Sequence, residues 1–150
     1  MRQPNRSGRG SAIVEFAVTS SLLMTFFAGV WQFGYTFYIY NQLQSAVRGA
    51  ARYGSLTAYD GGSSAGAAFE ERVKNMVVYG KPDPGEGDQP LVAGLTTSHV
   101  RVSETFEGAT PSRIEVDIVD YRIDAFFTRF ALNGKPRCAF PYMGRFIAPA

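Results

Sequence analysis

The chain has 150 residues, 45% hydrophobic and 19% charged, with a formal net charge of +2. That size and balance allow one domain with a modest core. Without a Lys/Arg-rich block, no nucleic-acid partner is expected. The single cysteine, Cys138, excludes an intrachain disulfide and cannot form a zinc site by itself; it reads as a small hydrophobe and receives no role.

The averages conceal an uneven distribution. Met1 to Gly10 carries Arg2, Arg6 and Arg9, no acid and almost nothing apolar, so it reads as a basic leader on the cytoplasmic side rather than a fold. From Phe16 through Val47 no side chain is charged. The apolar run includes Leu22, Leu23, Phe26, Phe27, Val30, Trp31 and Phe33, and about 20 such residues span a bilayer core. It is too long for an ordinary signal-peptide core and no A-x-A cleavage site follows, so a retained anchor is expected. Trp31, Tyr35, Tyr38 and Tyr40 gather where amphipathic rings favour a lipid interface, which predicts the membrane exit near Tyr35 to Tyr40. Beyond it Leu43, Val47 and Ala50 recur at helical spacing, predicting an amphipathic stalk that stops at Gly54. Glu15 is out of place: an acid at the mouth of an apolar helix needs a partner or a proton, unless headgroup water reaches it in the first helical turn.

The string Gly10-Ser11-Ala12-Ile13-Val14-Glu15-Phe16 behind a short basic leader resembles the processing motif of TadE-like pseudopilins from the tight adherence (Tad) pilus system. The resemblance extends through Gln32-Phe33-Gly34 and through Ala46-Val47-Arg48-Gly49-Ala50-Ala51-Arg52, covering about the first 55 residues. It implies cleavage by a prepilin peptidase between Gly10 and Ser11, leaving Glu15 as the fifth residue of the mature chain with Phe16 behind it. It also implies partners: other pseudopilins (TadF-like), the major pilin, the inner-membrane assembly platform and the lipid bilayer. The role implied is that of a minor, non-catalytic subunit in assembly of an adhesive type IV pilus, priming the fibre, entering it or staying in the membrane. Two departures stand out: Ser21 occupies a position where many relatives have proline, and Gln32 replaces a frequent acid. In this reading Glu15 pairs with the new Ser11 amine of a neighbouring pilin, since opposite charges attract strongly in a low dielectric. The small residues Ala46, Ala50 and Gly54, four apart, would let helices approach closely.

Ala65 to Tyr79 reads as a second helix with Phe69, Val73, Met76 and Val77 on one face, and Gly80 and Pro82 as its stop; Gly61-Gly62-Ser63-Ser64 precedes it as a flexible turn. Alternation over Val100–Ser103 and Ile114–Ile118 predicts two strands joined by a turn over Gly108–Ser112, with a further strand between Arg137 and Phe146 and with Val102, Ile114, Val116 and Ile118 inside. The expected fold is α+β: a long N-terminal transmembrane and stalk helix followed by a small head of one helix on an antiparallel sheet. The expected divisions are a cleaved leader over 1–10, the anchor and stalk over 11–53, and an extracytoplasmic head over 54–150. Leader arginines place the N terminus in the cytoplasm, with the chain a single-pass protein of the bacterial inner membrane.

No catalytic set can be assembled. His99 is the only histidine and lacks a second ligand at metal spacing, and the glycine-rich turn at Gly61 lacks the G-K-[ST] ending of a phosphate loop. Asp83, Glu86 and Asp88 do not match a calcium loop, and Glu70 with Glu71, or Glu115 with Asp117, read as surface carboxylates. No cofactor, metal or enzymatic activity is expected. Phe126, Phe127 and Phe130, or Phe140, Tyr142 and Phe146, fit either core closure or a partner-binding patch. The competing functional reading is an uncleaved, signal-anchored extracytoplasmic binding protein.

Overall fold

The computed structural model describes residues 7–60, 63–107, 110–125 and 127–147. Arg2 and Arg6 of the leader, Gly61 and Gly62, Gly108 and Phe126 lie outside the described residues. The elements in chain order are α1 (Ser7–Leu56), β1 (Tyr59–Asp60), α2 (Ser63–Tyr79), β2 (Val100–Glu107), β3 (Thr110–Ile118), β4 (Tyr121–Asp124), β5 (Arg129–Leu132), β6 (Arg137–Pro141) and β7 (Phe146–Ile147). A single 3-10 turn, Thr97–His99, leads into β2.

The α+β class holds, with α1 as one continuous helix of 50 residues, about 75 Å long. Among the described residues, Ser7 to Gly10 of the expected leader are helical and continuous with α1. Adding a turn to an existing helix gains a hydrogen bond per residue without a new nucleation cost, which sequence polarity alone does not reveal. Ser21, where proline would break the ladder, instead donates its hydroxyl to the Ala17 carbonyl at 2.8 Å, and Thr25 does the same to Ser21 at 2.9 Å. These two hydroxyls are therefore satisfied within their own helix, as a lipid environment requires.

Helix α1 also runs past Gly54, the predicted stop. The glycine serves packing instead: a Cβ there would lie 3.2 Å from Val73 Cγ2 and 3.4 Å from Ile114 Cγ2, so α2 and β3 close directly over the α1 backbone. Ile39, Leu43, Val47, Ala50 and Ala51 are all buried, and with Phe69, Val73, Val77 and Val78 of α2 they cover the sheet face bearing Ile114, Val116 and Ile118. The apolar stripe of the predicted amphipathic stalk is thus part of the core from Ile39 onward. Each large side chain sealed in this way contributes about 1.5–3 kcal/mol of transfer free energy.

The main sheet has the order β2-β3-β6, antiparallel throughout, with Val102, Val116 and Cys138 in register across it. Val102 and Cys138 are half-buried and pack against the core. The predicted turn over Gly108–Ser112 is shorter than expected, because Thr110–Ser112 already belong to β3. Pro111 is tolerated there because it lies at a register irregularity and beyond the reach of β6. Asp117, expected on the surface, is buried on the opposite sheet face. Its cross-strand neighbour Arg101 binds it twice, with Nε at 3.1 Å from Oδ1 and an Nη at 2.5 Å from Oδ2. Two small pairings fall outside the sequence expectation: the β4–β5 hairpin, and a parallel bridge of β1 with β7.

The end of α1 is fastened by the chain after β6. Met143 N–H donates to the Ser55 carbonyl at 2.8 Å, the Tyr142 hydroxyl lies 3.0 Å from the Thr57 carbonyl, and Tyr59 N–H donates to the Arg145 carbonyl at 3.0 Å. Orphan carbonyls at the helix C terminus are met this way. Gly144 sits so close that a Cβ would run into the Thr57 carbonyl and the Tyr142 ring. Gly144→Ala should therefore cost about 1–3 kcal/mol, read as a lower thermal midpoint of the chain in detergent micelles.

Glu104 on β2 accepts a hydrogen bond from the Tyr59 hydroxyl at 3.1 Å. Burial pushes its carboxyl above the usual carboxylate range, Glu70 adds to the effect, and the Tyr59 hydrogen bond partly offsets it. A raised carboxyl pKa means that the folded chain binds this proton more tightly than the unfolded chain. The charged form costs stability above the raised value, and the cost disappears below the ordinary value of 4.5. Glu104→Gln should be more stable than the unchanged chain at pH 7, with the difference closing near pH ~4, as measured by paired thermal unfolding.

Candidate functional site

Two regions of α1 carry functional groups: its N-terminal mouth and the zone where the head begins. At the mouth Gly10, Ser11, Glu15 and Phe16 are all exposed on helical backbone. Nothing lies within 4 Å of where a Gly10 Cβ would be, so a protein approaching the Gly10–Ser11 bond meets no part of the head. Ser11 and Glu15, four apart, share one helix face about 6 Å apart along the axis. From here to Tyr38 the large apolar side chains face outward, including Ile13, Leu22, Phe26, Phe27 and Trp31. By length and composition α1 can cross a membrane: its most apolar window has a mean hydropathy of 1.8 and is 0% buried.

The stripe Ala46, Ala50 and Gly54 behaves differently. Ala50 is sealed, Ala46 is half-buried against the core, and Gly54 receives α2 and β3. Their smallness lets the chain's own head close on α1.

Gln32, singled out in the sequence only as a departure from the resembled motif, has a role that the sequence did not reveal. It is 7% exposed on a helix whose neighbours Trp31 and Phe33 are 69% and 61% exposed. Its Oε1 accepts from Phe127 N–H at 3.1 Å, and its Nε2 donates to the Thr128 carbonyl at 3.4 Å. One side-chain amide thus reads a backbone donor and a backbone acceptor in the β4–β5 turn, pinning the hairpin beside α1. Thr36, a turn later, returns its hydroxyl to the Gln32 carbonyl at 2.9 Å. Gln32, Thr36, Ile39, Leu43, Val47, Ala50 and Gly54 form one stripe at three- and four-residue spacing, so the head-facing side of α1 begins at Gln32. The signal in the sequence was a lone amide in phase with the later apolar stripe.

Above this clamp an open apolar groove runs between α1 and the hairpin, lined by Phe33, Phe37, Tyr40, Ile123, Phe130 and Leu132. Phe127 and Phe130 are exposed, whereas Phe140 and Tyr142 pack against the core, so the two aromatic sets divide between the predicted alternatives. The side chain of Phe146 lies outside the described residues.

Other polar groups have local structural partners. His99 Nδ1 accepts from Thr96 N–H at 3.2 Å and its ring meets Tyr121 edge to face. Glu70 binds Lys74 at 2.8 Å, and Glu115 meets Arg137 at 3.5 Å. Asp88 binds Lys81 at 2.9 Å and accepts from Gly85 N–H, which holds its carboxyl below the usual range. Among the described residues no group of three or more His, Cys, Asp or Glu is placed to hold a metal ion.

Replacing Gln32 by Leu removes both clamp bonds and should cost about 1–3 kcal/mol, the net worth of two side-chain hydrogen bonds to the hairpin backbone. Amide hydrogen exchange checks it: the Phe127 amide should exchange faster in Gln32→Leu, while the Gly134 amide, bonded to the Ile118 carbonyl at 2.7 Å, should be unchanged.

No curated protein and no solved structure matches this chain. A family model, described as TadE-like protein, matches residues 10–52. The matched stretch opens on Gly10, takes in the exposed apolar helix, Glu15 and Gln32, and closes on the exposed Arg52, next to the buried Ala50 and Ala51. Residues 53–150 lie outside it; over residues 10–52 this chain is similar to the TadE-like family.

Proposed function

We propose that this chain is a minor, non-catalytic pseudopilin that acts in assembly of a Tad-type pilus, anchored in the inner membrane with its head outside the cytoplasm. The TadE-like match implies involvement in a Tad pilus system. One observation carries the finer reading: Gly10, Ser11 and Glu15 stand exposed and in order at the mouth of a bare apolar helix, where the match begins. A prepilin peptidase cuts after Gly10, creating a cationic amine on Ser11, and Glu15 then pairs with that amine on a neighbouring pilin. Pairing offsets the desolvation of both charges and sets the axial register of packed helices.

The geometry of the head supports a specific depth for the anchor. Arg122, Asp124 and Arg129 sit on the hairpin that flanks α1 from Gln32 upward, and a membrane exit at Tyr40 would sink all three into hydrocarbon. Each such charge costs about 2.5–3.5 kcal/mol at the centre of a span. Ser11 to Trp31 is 21 residues, about 31 Å of helix, against a hydrocarbon core of about 30 Å. The span therefore ends at Trp31, earlier than the tyrosine cluster suggests, and Tyr35 and Tyr38 lie in the interfacial layer above it.

Intact mass and N-terminal sequence of the membrane-extracted protein, from cells with and without the prepilin peptidase, test this reading. A chain beginning at Ser11 only when the peptidase is present is expected. Glu15→Ala should still be cut, yet reduce piliated cells at least about tenfold, the loss that a ~1.4 kcal/mol pairing term would produce. A chain that keeps Arg2 to Gly10 beside active peptidase would leave an uncleaved anchor and end the pilus reading.

A further inference from the structure

We propose that the β4–β5 hairpin is a second membrane contact, its tip entering the interfacial layer of the same bilayer that α1 crosses. The inference rests on the membrane-spanning reading of α1 and adds a lipid-binding surface to the head. Gln32 holds Phe127 N–H and the Thr128 carbonyl, so the tip is fixed at the level of Gln32, one residue past the apolar span. A helix in a bilayer is wetted by lipid all round, and an element that touches it at the edge of the hydrocarbon lies among headgroups. The interfacial layer is about 5–7 Å deep on each side, or about four residues of helix, which takes in Gln32 to Tyr35 and the tip beside them.

The tip has the chemistry for that layer. Phe127 is 69% exposed, comparable with Trp31 on the helix. Phe130 follows on β5 and opens onto the same apolar groove as Phe33 and Phe37. The outward face of the hairpin carries Arg122 and Arg129 against one acid, Asp124, which Arg129 Nε meets at 3.0 Å. Apolar rings at the tip with net cationic charge beside them suit acyl-chain boundaries and lipid phosphates, respectively. A second protein chain covering the same rings is the competing occupant; continuity of the tip with the lipid-facing helix favours the bilayer.

Depth-dependent fluorescence quenching tests the proposal on the full chain in vesicles of phosphatidylethanolamine and phosphatidylglycerol, brominated either near the carboxyl end or near the methyl end of the acyl chain. The single native indole, Trp31, reports on the helix. The double variant Trp31→Phe with Phe127→Trp moves the indole to the tip, Trp31→Phe with Phe130→Trp provides a second position on the hairpin, and Trp31→Phe with Phe106→Trp moves it to the far end of the head beside Tyr59. Both hairpin indoles should be quenched at least about twofold more by shallow than by deep bromines, while the Phe106→Trp indole is untouched by either. Hairpin indoles that no brominated lipid quenches overturn the proposal, whether acrylamide reaches them from water or a protein partner shields them. Equal quenching at the Phe106 position overturns it too, since the head would then lie flat. Quenching of Trp31 in the unchanged chain separates these failures from a failure of α1 to span the membrane.

Discussion

An α-helix without a break transmits position along its whole length, and the arrangement of this chain depends on that. Helix α1 has no proline and no gap in its hydrogen-bond ladder from Ser7 to Leu56. Its first part has no buried face, and its last part has a buried stripe against α2 and β3. Because one rod serves both, the head cannot tilt or slide relative to the anchor without breaking its own core. Placing the anchor in a bilayer therefore fixes the height and rotation of every strand of the head.

The two halves solve different solvent problems with the same backbone. Before Gln32, the Ser21 and Thr25 hydroxyls bond back to carbonyls four residues earlier and the large apolar groups face outward, the pattern of a helix surrounded by hydrocarbon. After Ile39, Leu43, Val47, Ala50 and Ala51 are covered by protein, while Asn41, Gln44, Ser45, Arg48 and Arg52 face outward. Gln32 stands at the changeover. Its phase belongs to the covered stripe, while its neighbours in sequence belong to the exposed run.

How much of this was legible in the sequence depends on how many residues each signal spans. The uncharged run through Val47 and the three- and four-residue spacing of Leu43, Val47 and Ala50 predict α1 and its sided half, and Phe69, Val73 and Val77 predict α2. Periodicity tells which face is buried but not what covers it, so the stripe read as a stalk when α2 and β3 of the same chain occupy it. The strands Val100–Glu107 and Thr110–Ile118 announce themselves by alternation. The β4–β5 hairpin has only four residues a side, with Arg122, Asp124 and Arg129 interrupting the apolar positions, too short a pattern to separate from loop. The burial of Asp117 is a matter of register, since only cross-strand pairing with Arg101 places a guanidinium over it. The order Gly10 to Phe16 lies along one helix, so its spacing could be read without knowing how the head folds.

The chemistry of the side chain at position 32 follows from what it touches. A buried carboxylate there could accept from Phe127 N–H, but it would face the Thr128 carbonyl with a second acceptor and bring a charge to the edge of hydrocarbon. The amide offers one acceptor and one donor to a backbone that presents one donor and one acceptor, and it adds no net charge. The neutral residue thus matches the hairpin that this head folds against α1. Residue 32 lies inside the TadE-like stretch and the hairpin outside it. The clamp is where the TadE-like stretch of α1 meets the head, so the identity of residue 32 follows from the head and not from the anchor alone.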